Sequence, residues 1–463
     1  MVLYFYIYFP KSSHIFYKNI DQGGCLIDFL KSINNFIWGV PLPVLLFGCH
    51  IYFTFRLKGV QRHIGKAIQL SVTPNSDEEG DLSGFASLTA TLAATIGTGN
   101  IVGISTAVAL GGPGAIFWCW LTGLLGMATS YAECYLGILF RRKTSDGSFL
   151  GGPMYALEYG LNKKWLAILF SVFTLMASCG VGCSTQSRAV TETAKTLWNL
   201  PEIAVGMIVA IIVGFVIVGG VQSIGKICSR LVPAMGLFYI LGCIVLLIMN
   251  SGYIGSALEI IVKSAFTSTR LPAAVAGGFI GSTIRSAARY GIARGLFTNE
   301  SGLGSAAIAA AGAKTSHPSR QALISMSATF WDTVIMCAIT GLVIVTNILK
   351  SPGSVEGYSF AELTTAAFDS LPLGNIFLGL SLIAFAVATL IGWSYFGEKA
   401  VEYIFGKSRI NTYRLLYIIM IYLGSIMSLE LVWEVTDLVN AFMALPNLIC
   451  LLLLRKKILP YSD

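Results

Sequence analysis

The chain has 463 residues, 55% hydrophobic and 12% charged, with a formal net charge of +8 and a mean hydropathy of +0.73. A soluble domain carries about 25% charged residues, so this composition excludes a soluble globular fold and predicts an all-α polytopic membrane protein. The basic excess is spread over short loops between apolar runs, which fits membrane topology and speaks against nucleic acid as a partner.

Residues 1–33 are weakly patterned and read as an N-terminal, interfacial segment. A first span over about 34–55 precedes a basic stretch with Arg56, Lys58, Arg62 and Lys66 and the acidic linker 76–81. The second span, about 85–109, lies in a run from Leu82 to Glu133 without an intervening Lys, Arg, Asp, Glu or His. Its centre reads Gly97-Thr98-Gly99-Asn100. Glycine costs about 1 kcal/mol in a helix interior, and Thr and Asn side chains compete for backbone hydrogen bonds, so a break is expected there. Such broken backbone is tolerated at membrane depth only where it is buried in protein or lines a watery cavity.

Further spans are expected at about 113–138, 165–185, 202–220, 231–249, 271–296, 321–348, 375–396, 413–428 and 431–454. The span at 271–296 has a comparable centre, Gly277-Gly278-Phe279-Ile280-Gly281-Ser282-Thr283, and a second break is expected in it. The following NESGLGSAAIAAAGAK reads as a polar connection with a short helix. Basic residues concentrate in every second loop and in the tail 455–463, which places the N-terminus outside and the C-terminus in the cytoplasm of a cell (inner) membrane.

Eleven spans fit this arrangement, and the two glycine-interrupted ones lie five apart, so they cross in opposite directions. That is a five-plus-five inverted repeat, 83–262 and 263–454, preceded by an extra span and basic stretch over 34–82, the plan of many secondary transporters. A glycine-interrupted pair in corresponding positions points to a transporter's binding site. Enzyme motifs such as HExxH or GxSxG are missing, and His14, His50, His63 and His317 are scattered. Cys179 and Cys183 share a helix face without the CxxC spacing of redox or zinc motifs. No cofactor is expected, and no ring of charges suggests a channel.

The segments 94–120, 151–161, 289–309, 332–345, 391–399 and 443–448 resemble the alanine/glycine:cation symporter family, in order and over most of residues 83–450. The resemblance implies a LeuT-like fold and symport of small neutral amino acids, alanine and glycine above all, with a sodium ion and in some members protons as coupling ion. The residues themselves place the amides of Thr98 and Gly99 on the substrate carboxylate at the positive end of a half-helix, with Asn100 beside them; close small-residue packing is the competing reading. Gly277, Gly278, Phe279 and Thr283 would be the counterpart in the second repeat. The resemblance adds Gln186 and Trp393 as substrate-facing positions and the backbone carbonyls of Ala93 and Ile96 as sodium ligands. Thr389 is the candidate hydroxyl ligand, whereas Ala388 stands where many members carry a second Ser or Thr. The alternative is therefore proton coupling. Glu133, Glu300 and Asp332 are the membrane carboxyls, and Asp332 could pair with Arg285 or Arg289, a candidate cytoplasmic gate. Membrane lipid is the remaining partner.

Overall fold

A computed structural model describes residues 22–73, 79–267, 283–355, 357–427 and 429–461. The chain is overwhelmingly helical. In order, the helices are α1 (Gln22–Ile37), α2 (Pro41–Arg56), α3 (Ile64–Val72), α4 (Gly84–Thr95), α5 (Gly99–Gly111), α6 (Gly114–Leu139) and α7 (Lys164–Trp198). They continue with α8 (Glu202–Val218), α9 (Gly220–Met249), α10 (Ile254–Phe266), α11 (Ile284–Asn299), α12 (Ser305–Ala311) and α13 (Pro318–Lys350). Last come α14 (Leu363–Phe368), α15 (Gly374–Phe405), α16 (Ile410–Ile426) and α17 (Leu429–Leu453).

Among the described residues seven helices are long and apolar enough to cross a membrane, or eight when the bent pair α4–α5 is one span. The chain is a multi-pass membrane protein. Of the expected spans, 202–220 and 413–428 correspond to α8 and α16, each of 17 residues. The segment at 271–296 is helical only from Ile284 on among the described residues.

Two burial patterns divide the bundle. In α8 and α9, buried positions recur on one face, and Met207, Ile211, Phe215, Leu237 and Ile248 are exposed, as an apolar face bathed by lipid requires. In α6 every residue from Gly126 to Ile138 is buried, and in α15 every residue from Ala388 to Glu402. A helix enclosed all round must pack through small residues, and these do. A methyl on Gly137 would lie 2.8 Å from the Ala307 carbonyl of α12, and one on Gly392 would lie 2.7 Å from Ala94 N. Helices α6 and α15 thus form the walls against which the interrupted segments are pressed.

There are two interruptions. The first separates α4 from α5, whose axes differ by 53°. The second separates α11 from α12 and falls at Glu300–Gly304, where Glu300, Gly302 and Gly304 have φ of 54°, 94° and 90°. Left-handed backbone at three positions in five ends a helix, and glycine reaches it without steric cost. This second interruption lies in the segment read as a polar connection, and the break expected at Gly277–Thr283 falls, up to Ser282, outside the described residues.

At the end of the bundle that carries the basic loops, the start of α4 and the end of α12 are joined by main-chain bonds. The amides of Asp81 and Leu82 donate to the Gly312 carbonyl at 2.8 and 3.0 Å, and Lys314 N donates to the Leu82 carbonyl at 2.7 Å. The Arg141 guanidinium donates to the carbonyls of Ala311 (3.1 Å), Ala313 (2.7 Å) and Thr315, a cation at a helix C-terminus as the dipole favours.

Candidate functional site

Helix α4 stops because Ile96 turns extended, with ψ of 97°, and Asn100 closes the gap with its side chain. Its Oδ1 accepts from Gly97 N at 3.0 Å. Its Nδ2 donates to Asp332 Oδ1 at 2.8 Å and to the Asp332 carbonyl at 3.2 Å. Asn100 and Asp332 are both fully buried. Asn100 is thus the tie between the first break and α13, rather than a group open to a ligand. Asp332 pairs with Asn100 and with the Thr333 hydroxyl at 2.6 Å, not with an arginine. Arg285 and Arg289 instead line a cavity with residues of α2, so the expected arginine–Asp332 pair does not form.

Three expected residues converge on the break. A methyl on Gly97 would lie 2.9 Å from Thr389 Oγ1, 3.6 Å from Gln186 Oε1 and 3.8 Å from Gln186 Nε2. The Thr389 hydroxyl bonds to the Ile96 carbonyl at 3.3 Å and to the Phe385 carbonyl at 3.0 Å, which sets two hard oxygens side by side, the donor type a sodium ion requires. Ala93 is fully buried, and a methyl on Gly392 of α15 would approach its carbonyl carbon to 3.1 Å. Ala388, also fully buried, adds no oxygen there.

Gln186 sits on α7 just past a π-turn at Gly180–Ser184. Its Nε2 reaches the Val181 carbonyl at 3.3 Å, but its Oε1 is buried with no hydrogen-bond partner. An unmade bond on a buried polar atom costs about 1–3 kcal/mol, so this oxygen is an acceptor awaiting a donor. Trp393 is fully buried and wedged over the same turn: a methyl on Gly182 would lie 2.1 Å from its Cβ. Thr98 is 5% exposed, and nothing described opens the region wider.

The second break meets the first through Thr298. A methyl on Gly99 would lie 3.3 Å from Thr298 Oγ1. Thr283 does not join them: it is exposed, and its hydroxyl accepts from Ser286 N at 3.1 Å as the cap of α11. Gly277, Gly278 and Phe279 lie outside the described residues. Thr298 and Thr436 escaped the sequence reading. The Thr436 hydroxyl is buried without a partner, 2.6 Å from where a methyl on Gly180 would be. Thr298 had a signal in the glycine-rich NESGLG that follows it; Thr436 had none.

Two interrupted helices side by side within an apolar helical bundle, with backbone, hydroxyls and a buried unpartnered amide oxygen converging, define a membrane transporter. The sodium:alanine symporter family profile matches residues 24–462. The chain belongs to this family of transporters, which are not enzymes. It is 44% identical over 436 residues to the sodium/alanine symporter AgcS of Methanococcus maripaludis, covering 92% of this chain and 94% of that one. It is 35% identical over 428 residues to the probable sodium/glutamine symporter GlnT of Bacillus subtilis, covering 91% and 87%. The fold is shared with MhsT, solved in complex with L-phenylalanine, at a TM-score of 0.57 and 19% identity over 81% of this chain and 89% of that one.

Proposed function

We propose that the protein imports small neutral amino acids, alanine and glycine, driven by a sodium gradient through alternating access. The observation that carries this is the convergence of Gly97, the Thr389 hydroxyl and the unpartnered Gln186 oxygen. A zwitterion supplies what such a site lacks. Its carboxylate would take the amides of Thr98 and Gly99 at the start of α5, and its ammonium would supply the donor that Gln186 Oε1 awaits. Sodium would sit between the Thr389 hydroxyl and the carbonyls of Ile96 and Ala93, the hydroxyl proton turning away. Trp393, packed against Gly182, would wall the substrate side chain, which favours the small side chains of alanine and glycine.

The two breaks are the equivalent positions of two inverted units, 83–262 and 263–454, with the span over 34–55 outside the repeat, the N-terminus external and the C-terminus cytoplasmic. Accumulation of labelled alanine in proteoliposomes under an imposed sodium gradient tests the reading. Uptake driven by a proton gradient alone would replace sodium with the second reading, proton coupling, which the single hydroxyl at 388–389 favours. Absence of uptake with either gradient would sink both.

A further inference from the structure

The second break is gripped from behind by groups that take no part in the proposed site. Glu133, in the enclosed run of α6, presents one carboxylate oxygen, Oε2, to three donors: Gly302 N at 3.1 Å, Gly304 N at 3.1 Å and Asn447 Nδ2 at 3.0 Å. Asn447, on α17, uses the same amide group to donate to the Gly302 carbonyl at 2.9 Å. Both glycines stand in the left-handed region, where a glycine-rich segment has most freedom to leave. Leu46 of α2 closes the remaining side, 2.6 Å from where a methyl on Gly302 would be. Two of the three hydrogen bonds fix main chain.

We propose that Glu133 and Asn447 are positioning residues for transport: together they clamp Glu300–Gly304 so that Thr298 is held against Gly99 and the two breaks keep the spacing the substrate needs. This rests on the reading of the breaks as the substrate site. The clamp works by accepting and donating hydrogen bonds, so a group that still accepts at Glu133 should preserve it.

The test compares Glu133→Ala, Asn447→Ala and Glu133→Gln in alanine uptake by proteoliposomes, normalised to folded protein, alongside amide hydrogen exchange over 299–306. The expected result is a KM for alanine raised tenfold or more in both alanine variants with the maximal rate within about threefold, faster exchange at Gly302 and Gly304, and a Glu133→Gln protein close to the parent. A double variant should be no worse than either single one, because the two residues act as a unit. Wild-type KM and exchange in a folded Asn447→Ala protein would overturn the proposal. So would a Glu133→Gln protein as impaired as Glu133→Ala, since charge rather than hydrogen bonding would then be what matters. If Glu133→Ala does not fold, Asn447→Ala and Glu133→Gln still decide. If the parent takes up no alanine, the functional reading fails, and the exchange measurement still reports on the clamp.

Discussion

Asn100 shows why a residue can be essential to a site it does not open onto. It satisfies the Gly97 amide on one side and the Asp332 carboxylate on the other, both in fully buried surroundings. Removing it strands two polar groups, one of them acidic. Asn100→Ala should destabilise the folded protein by about 3 kcal/mol, read as lost detergent stability. A variant of unchanged stability and full uptake would refute the tie. Thr389→Val is a milder change, exchanging the hydroxyl for a methyl. It should raise the half-activating sodium concentration about tenfold, roughly 1.4 kcal/mol, while the KM for alanine measured at saturating sodium moves far less; an unaltered sodium dependence would remove Thr389 from the ion site. Outside the membrane, burial raises the Asp81 carboxyl above its usual range. The folded protein therefore binds that proton more tightly than the unfolded chain does. The charged form burdens stability above the folded pKa, and the burden lifts as pH falls through it. Asp81→Asn should accordingly stabilise the protein most at high pH, and a stabilisation that grows as pH falls would contradict this. The Gly-Thr-Gly-Asn signature and the Thr389 position were legible in sequence. The partner of Asn100 was not, because Asp332 lies 232 positions away and a second polar candidate, the Arg285/Arg289 pair, stood nearer to it in sequence.

At the scale of elements, the first break was readable because four consecutive residues oppose a helix inside an uncharged run. The interruption at Glu300–Gly304 was not read as one, for a related reason. Gly277-Gly278 sits within an apolar stretch and looks like a break, whereas Asn299–Gly304 contains a carboxylate and looks like a loop. Position was decided by what surrounds the carboxylate: with Ser305 Oγ donating to Glu300 Oε2 at 2.6 Å, and with Glu133 and Asn447 close by, a polar hexapeptide can be buried in the bundle. The outer limits of the spans were also underestimated, as α7 continues through Gln186 to Trp198 and α9 begins at Gly220 rather than near 231. Those extensions carry exposed polar and charged residues such as Lys195, Gln222, Lys226 and Arg230, so hydropathy alone truncates them. Because Gly302 is both left-handed and crowded by Leu46, Gly302→Ala should abolish uptake while Gly147→Ala, left-handed but with open space around it, leaves uptake unchanged. Equal tolerance at the two positions would show that the shape of the second break is not required.

For the molecule as a whole, main-chain hydrogen bonds at the basic end join the two interrupted helices to each other. If passage to that side requires α4 and α12 to part, a covalent link across the join must stop the cycle. Leu82 and Ala313 face each other across an isolated parallel bridge. The double variant Leu82→Cys/Ala313→Cys should lose sodium-driven uptake on oxidation and regain it on reduction, with each single variant indifferent to both. Native thiols should not interfere, since among the described residues the cysteines are free and all but Cys179 are buried. Full uptake by the oxidised double variant would place the moving parts elsewhere.

The join has one further property. It consists of peptide N–H and C=O groups, so its hydrogen bonds are made without any side chain. What would break it is an imino acid: proline at Asp81, Leu82 or Lys314 has no N–H to give. At the partly exposed Lys314, a saturation library selected for transport should therefore accept most residues, with proline depleted well beyond all the rest.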